Sequence, residues 1–92
     1  SPVSGVYVVK VQSKDSSHFG VANIGSRPTV AGIRQQLEVH IFDFNSNLYG
    51  ETIEVILLKK LRSEQKFASI DELMQQITKD TEQARTYVQD LS

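Results

Sequence analysis

The chain has 92 residues, a formal net charge of −1 and no cysteine. This length accommodates one small domain with a single core. The lack of cysteine excludes disulfide frameworks and Cys-ligated zinc sites, and it favours the cytoplasm. No segment gathers enough lysine and arginine for a nucleic-acid surface, and no apolar run approaches the roughly 20 residues of a membrane helix. We therefore expect neither nucleic acid nor a membrane as a partner.

The first third of the chain predicts a β-hairpin. Val6 to Val11 is rich in β-branched and aromatic residues, which favours a strand buried on both faces. Ser13 to Ser17 supplies turn formers, and the strand pattern resumes from His18 to Ile24. Gly20 and Gly25 bracket most of this second run, and glycine in a strand usually marks a bulge, a bend or a close approach of backbone.

The middle of the chain predicts two more strands. Pro28 lacks an amide proton, so we expect the sheet to be interrupted there, followed by a polar loop from Ala31 to Gln36. Leu37 to Phe44 alternates clearly between apolar and polar residues, and Thr52 to Leu61 forms a further strand. Between them, residues 45 to 47 form a turn cluster.

After Phe67 the apolar period changes from two to about 3.6, which predicts a helix over residues 70 to 90. Ser69 followed by Glu72 is a capping-box pattern at its start. One helical stripe collects the apolar residues Ile70, Leu73, Met74, Ile77, Ala84, Val88 and Leu91. We predict a mainly β fold: a small antiparallel Greek-key-type β-barrel with one C-terminal α-helix packed on it.

Glu38 is the main candidate for chemistry. Strand alternation separates its carboxylate from the apolar side chains of Leu37, Val39 and Ile41. A solvated strand carboxylate is the alternative, and on spacing alone it is the better one. No phosphate-binding G-x-x-x-x-G-K-[ST] loop is present, so motifs alone do not indicate a kinase.

Longer segments resemble a known family. In chain order they are GVANIGSRPTV (residues 20–30), LEVHIFDF (37–44), LYG (48–50) and LRSEQKF (61–67). Together they resemble the riboflavin kinase family, in particular the C-terminal half of the bacterial bifunctional riboflavin kinase/FAD synthetases. The resemblance covers nearly the whole chain, so residues 1–92 are interpreted as one riboflavin kinase domain.

The resemblance implies transfer of the γ-phosphoryl group of ATP to riboflavin, giving FMN, with Mg²⁺ assisting and Glu38 as general base. It implies nucleotide-binding roles for Ile41, Asp43 and Tyr49. It implies flavin-binding roles for Arg62, Glu64, Gln65 and Phe67, and a mobile flap from Arg27 to Gln36. Structural alternatives remain open: Ile41 as core, Tyr49 as a hairpin-closing aromatic, Arg62 as a strand-end cation, and Phe67 as packing under the helix.

The family also carries a P-T-A-N segment, whose Thr and Asn hold Mg²⁺ and phosphates, ahead of the position of Val6. This sequence does not contain that segment, so we expect no metal ligand in this chain, little activity of the 92 residues alone, and an open barrel edge that allows homo-oligomers. The resemblance further implies an FAD synthetase (nucleotidyltransferase) domain as a partner in the parent protein. A non-catalytic flavin-binding or interdomain β-barrel module is the alternative function.

Overall fold

The computed structural model describes residues 3–92 and contains four strands followed by one helix. The elements are β1 (Gly5–Gln12), β2 (Ser17–Thr29), β3 (Gly32–Ile41), β4 (Glu54–Arg62) and α1 (Ile70–Asp90). Within the described residues, no helix is long and apolar enough to cross a membrane.

The four strands form one antiparallel sheet in the order β3-β2-β1-β4. Two hairpins join the first three strands, and β4 returns to lie beside β1, which is the Greek-key arrangement. The predicted Greek-key topology and C-terminal helix are thus confirmed. The sheet is not closed, because β3 and β4 are its outer strands among residues 3–92 and do not pair with each other, so the predicted barrel is only approximate.

Strand β1 lies at the centre of the sheet and supplies core residues to both faces. Val9 and Val11 belong to a buried cluster on one face, together with Tyr7 and Ala22. On the opposite face, Val8 packs in a second cluster with Phe42 and Ala84, the latter from α1. Each fully buried valine contributes about 1.5–3 kcal/mol, so burial of β1 on both faces is a major source of stability.

The β2–β3 hairpin differs from the sequence expectation. Pro28 does not interrupt the sheet, since it pairs with Ile33, and the ladder continues to the pair Thr29 and Gly32. Residues 32–36, expected as a loop, are part of β3. Pairing of β2 with β1 stops at Ile24, so Pro28 has a free edge on one side. Proline is accepted in such an edge position because the missing N–H removes no bond there. The expected flap from Arg27 to Gln36 is therefore an extended hairpin.

The start of α1 confirms the predicted cap. Ser69 has an extended backbone, and its hydroxyl accepts a hydrogen bond of 3.1 Å from the Glu72 N–H. The Glu72 carboxylate in turn accepts a bond of 3.0 Å from the Ala68 N–H, one residue earlier than in the usual capping box. These bonds satisfy donors that a helix start otherwise leaves open.

The apolar stripe of α1 is only partly buried. Ala84 is fully buried, and Tyr87 and Val88 pack beside it against the sheet. The N-terminal half of the stripe is exposed instead, at Ile70, Leu73, Met74 and Ile77. The helix therefore packs on the sheet mainly through its C-terminal half, and only part of the predicted apolar stripe contributes to the core.

Candidate functional site

A cleft of about 550 Å³ opens between the sheet and the exposed half of α1. Its floor comes from β1, β2 and β3, and its sides come from the end of β4, the following segment and α1. Glu38 lies in this cleft together with all four residues expected to bind flavin: Arg62, Glu64, Gln65 and Phe67. The structure thus brings together residues that are up to 29 positions apart in sequence.

Glu38 is placed by strand pairing. It pairs with Asn23 of β2, and both side chains line the cleft, as does His40 two residues further along β3. The Glu38 side chain is 59% exposed. Its neighbours Val39 and Ile41 pack against the buried cluster on the other face, as the alternation predicts. The carboxylate is therefore accessible to a ligand in the cleft.

Arg27 connects two of the three carboxylates that line the cleft. Its Nη2 lies 4.0 Å from Oε1 of Glu38, and its Nη1 lies 3.8 Å from Oε1 of Glu64. All three side chains are partly exposed, so each ion pair contributes little to stability. The arrangement instead places one positive charge beside the candidate base.

Arg62 is held far more firmly than Arg27. Its Nε donates to both carboxylate oxygens of Asp80 at 3.0 and 3.1 Å, and its Nη2 donates to Oδ2 at 2.9 Å. Gln76 donates a further bond of 3.0 Å to Oδ1 of Asp80. The Arg62 guanidinium also lies 5.7 Å from the centre of the Phe67 ring. Arg62 is thus more than a strand-end cation, since its guanidinium is fixed against both α1 and Phe67.

The walls of the cleft differ in chemistry. Leu73 and Ile77 of α1 present partly exposed apolar side chains, and Phe67 adds an aromatic ring. Arg62, Glu64 and Asp80 supply the charged groups of the walls, and Arg27 and Glu38 supply those of the floor. A flat ligand with one apolar and one polar edge suits such a combination.

The residues expected to bind nucleotide do not share this cleft. Ile41 packs against the buried cluster on the opposite face of the sheet. Tyr49 is 95% exposed in the segment after β3. Asp43 lines a separate, smaller depression of about 430 Å³ with His18 and Arg85.

Asp43 has an unusual backbone and a close charged partner. Its φ of 53° lies in the left-handed region, where Asp is better tolerated than most residues. Arg85 of α1 donates to Oδ2 at 3.1 Å and to Oδ1 at 3.3 Å. These hydrogen bonds and the positive charge lower the pKa of the Asp43 carboxyl, and the same hydrogen bonding raises the pKa of Arg85. Arg85 also lies 4.3 Å from the Phe42 ring, so it links the end of β3 to α1.

Sequence reasoning missed Asp80, which lines the cleft, and Gln76, which donates a hydrogen bond to it. A signal was present, because Asp80 lies three residues after Ile77 and four before Ala84, on the same helical stripe. A carboxylate on an apolar stripe requires a partner, and here the partner is Arg62. Arg27 was considered only as part of a flap, although its position opposite Arg34 in the ladder fixes it beside the cleft.

A metal site is not assembled by this part of the chain. Among residues 3–92, no group of three or more His, Asp or Glu side chains is placed to hold a metal ion. The carboxylates of Glu38, Glu64 and Asp80 are each paired with an arginine. The described residues therefore do not by themselves form a set of three carboxylate or imidazole ligands for the Mg²⁺ ion that the family resemblance implies.

The fold defines a small Greek-key domain with a cleft between its sheet and its helix, and the Glu38 carboxylate is exposed in that cleft. Comparison with protein families identifies it further: the riboflavin kinase (Flavokinase) family model matches residues 1–88. The chain belongs to the riboflavin kinase family.

Relatives agree with this assignment. The chain is 58% identical over 88 residues to a bifunctional riboflavin kinase/FMN adenylyltransferase of Escherichia coli K12, covering 95% of this chain and 28% of the relative. It is 51% identical to the Haemophilus influenzae protein of that name, with 95% and 29% covered, and 42% identical to that of Bacillus subtilis, with 98% and 29% covered. The chain thus spans under a third of the length of these relatives.

A solved structure supports the fold. A crystal structure described as that of a macrolide-efflux protein from Streptococcus pneumoniae matches with a TM-score of 0.81 and 40% sequence identity. The match covers 89% of this chain and 27% of that chain.

Proposed function

We propose that this domain transfers the γ-phosphoryl group of ATP to the 5′-hydroxyl of riboflavin's ribityl chain, giving FMN and ADP. The observation that carries the proposal is the shared cleft, in which Glu38 and the Arg62–Phe67 segment face one another. The names of the relatives, which pair riboflavin kinase with FMN adenylyltransferase, agree with it.

Glu38 is the general base in this proposal. Its exposed carboxylate accepts the 5′-hydroxyl proton while that oxygen attacks the γ-phosphorus and the bond to ADP breaks. Arg27, beside Glu38, supplies positive charge where the negative phosphoryl group approaches. The flavin ring lies further along the cleft, between the Phe67 ring and the apolar side chains of α1.

The nucleotide is the less constrained part of the proposal. Ile41, Asp43 and Tyr49 remain predicted nucleotide contacts, and of these only Asp43 lies in a depression with a cation, Arg85. Mg²⁺ also remains a prediction, and none of the roles above involves it. ATP delivers its phosphate end toward Glu38, whichever surface binds the adenosine part.

The partners follow from the bifunctional relatives. We propose that the domain works beside a second domain that converts FMN to FAD, as the joint names of these relatives suggest. A homo-oligomer formed through an outer sheet strand stays a prediction, as does the cytoplasmic location expected from the cysteine-free sequence.

The central test is the substitution Glu38→Gln in the full natural protein that contains this chain. The amide keeps the shape of the side chain and removes the proton acceptor, so kcat for FMN formation should fall by about 10²-fold or more. Riboflavin affinity should change little. The fold should persist, because an exposed ion pair such as that of Glu38 with Arg27 is worth roughly 0–1 kcal/mol.

Glu54→Gln is the matched control, since Glu54 is an exposed strand glutamate outside the cleft. It should leave kcat within twofold of wild type, because losing an exposed carboxylate has little effect on stability. Near-normal turnover of Glu38→Gln would refute the role of the base. Absence of FMN formation by the wild-type protein would refute the proposed function itself.

A further inference from the structure

The buried Asp80 carboxylate is the most thoroughly bonded acid of the domain. Its side chain is 5% exposed and accepts from the Nε and Nη2 of Arg62, with Nη2 to Oδ2 at 2.9 Å. Gln76, one helical turn earlier on α1, donates to Oδ1 at 3.0 Å. Removing a carboxylate from water is costly, and it is tolerated where the group has this many partners.

The contacts of Arg62 leave one edge of its guanidinium open. Asp80 occupies the edge formed by Nε and Nη2, and the Ser63 carbonyl accepts one bond of 3.1 Å from Nη1. A guanidinium carries one N–H on Nε and two on each terminal nitrogen. Among the bonds of residues 3–92, one N–H on Nη1 and one on Nη2 are therefore not used by protein acceptors.

A purely structural tie between β4 and α1 does not account for this geometry. Arg62 lines the cleft beside Phe67, and its plane is fixed by the Nε and Nη2 N–H groups that donate to Asp80 and by one Nη1 N–H that donates to the Ser63 carbonyl. Fixing a flexible arginine in advance reduces the ordering cost of binding a ligand. The nearby Glu64 does not compete for this role, because its carboxylate pairs with Arg27.

We propose that Asp80 is a positioning residue for flavin recognition. It acts through Arg62, whose open Nη1–Nη2 edge donates to the carbonyl oxygens of the flavin's pyrimidine ring. Gln76 holds the Asp80 carboxylate in the orientation that this requires. The inference rests on the proposed function and adds to it the group that recognises the polar end of the ring.

The test compares two ligands in the full natural protein that contains this chain. Riboflavin carries the ribityl chain, whereas lumiflavin keeps the flavin ring with only a methyl group at that nitrogen. Flavin fluorescence quenching measures both affinities. Asp80→Asn keeps the side-chain shape but weakens the charge-assisted pairing, so both ligands should bind about tenfold more weakly. The KM for ATP should stay within twofold.

Asp90→Asn is the matched control, because Asp90 is an exposed aspartate on the same helix, outside the cleft. It should leave both flavin affinities unchanged. A weaker affinity for riboflavin with an unchanged affinity for lumiflavin in Asp80→Asn would overturn the assignment to the ring.

A double-mutant cycle separates positioning from a general loss of structure. In the Arg62→Gln background, Asp80→Asn should cause no further loss of lumiflavin affinity, because the group it positions is already gone. If Asp80→Asn lowers the lumiflavin affinity equally in the wild-type and Arg62→Gln proteins, the inference is overturned. If Asp80→Asn does not fold, Gln76→Leu removes one bond to Asp80 and should weaken lumiflavin binding by about two- to fivefold. Unchanged lumiflavin binding in that variant would also overturn it.

The controls distinguish this inference from the proposed function. A wild-type protein that neither forms FMN nor binds riboflavin would refute both the proposed function and the role of Asp80. If the wild-type protein forms FMN and the Asp80→Asn variant binds flavin normally, the proposed function stands and only the role of Asp80 is refuted.

Discussion

Two glycines of β2 offer a matched test of how the sheet supports the cleft. Gly20 and Gly25 are both buried, and neither has a positive φ. A Cβ on Gly20 would overlap the backbone carbonyl of His40 on β3, which cannot move without shifting the strand. A Cβ on Gly25 would meet only the ends of the Arg27 and Glu64 side chains, which can swing away.

The expected magnitudes follow from these contacts. For Gly20→Ala, backbone displacement costs about 1–3 kcal/mol, and one weakened ladder bond adds roughly 0.5–1.5 kcal/mol. The bond at risk joins the Phe42 N–H to the Phe19 carbonyl at 2.8 Å, one residue away. Alanine also lowers the entropy of the unfolded chain, which offsets about 0.4–1 kcal/mol of this loss of stability. The net loss is about 0.5–4 kcal/mol for Gly20→Ala and close to zero for Gly25→Ala.

Urea unfolding followed by far-UV circular dichroism measures these differences in the 92-residue chain, which lacks tryptophan. In the full natural protein, Gly25→Ala should instead alter riboflavin affinity, because it displaces Arg27 and Glu64 within the cleft. Equal stability of Gly20→Ala and wild type would refute the close approach of β2 to β3. A larger stability loss for Gly25→Ala than for Gly20→Ala would refute the distinction between backbone and side-chain contacts.

Two further predictions concern the helix. Ser69→Ala should destabilise the domain by about 1 kcal/mol because the Glu72 N–H loses its acceptor; an unchanged melting temperature would show that the cap is dispensable. Asp43→Asn tests the exposed pair with Arg85: because the pKa of Asp43 is lowered, its contribution to stability is present above the ordinary pKa of an aspartate and is lost over the acidic pH range below it, as the pH falls through the lowered pKa. The stability difference between wild type and Asp43→Asn should therefore shrink over that range, and a constant difference would contradict the pairing.

Local patterns predicted the secondary structure well where local forces decide it. The helix was expected over residues 70 to 90 and lies at Ile70–Asp90, because its cap and its apolar period are both encoded within one segment. The hairpin of β1 and β2 was also predicted, and its turn is closed by a bond of 2.9 Å from the Ser13 N–H to the Ser16 carbonyl.

Features that depend on distant partners could not be read from the sequence. Pro28 was expected to end the sheet, but whether proline is tolerated depends on which strand edge is free, and β1 leaves that edge open. Likewise β3 was expected to reach Phe44 but ends at Ile41, because Asp43 turns the chain with a φ of 53° and bonds to Arg85 of the helix.

The residues of the candidate site also differ in whether the local sequence predicts them. Glu38 could be selected from strand alternation and family resemblance, and the flavin segment from resemblance alone. For Asp80, the apolar stripe signals only that a carboxylate there needs a partner. The sequence does not show that this partner is Arg62, 18 residues earlier, which meets Asp80 across the junction of β4 and α1. Neither residue alone shows that the two side chains form one unit.

The two halves of α1 have different relations to the sheet. Around Ala84, the helix packs on the sheet and contributes to the core. Around Leu73 and Ile77, it leaves apolar surface facing the cleft, which by itself adds nothing to stability. Asp80 lies between these halves and fixes the helix to Arg62 at that point. Under the proposed function, a flavin ring would cover the exposed apolar side chains. Ligand binding would thus complete the packing that the sheet leaves unfinished, and it should stabilise the N-terminal half of α1 more than the C-terminal half.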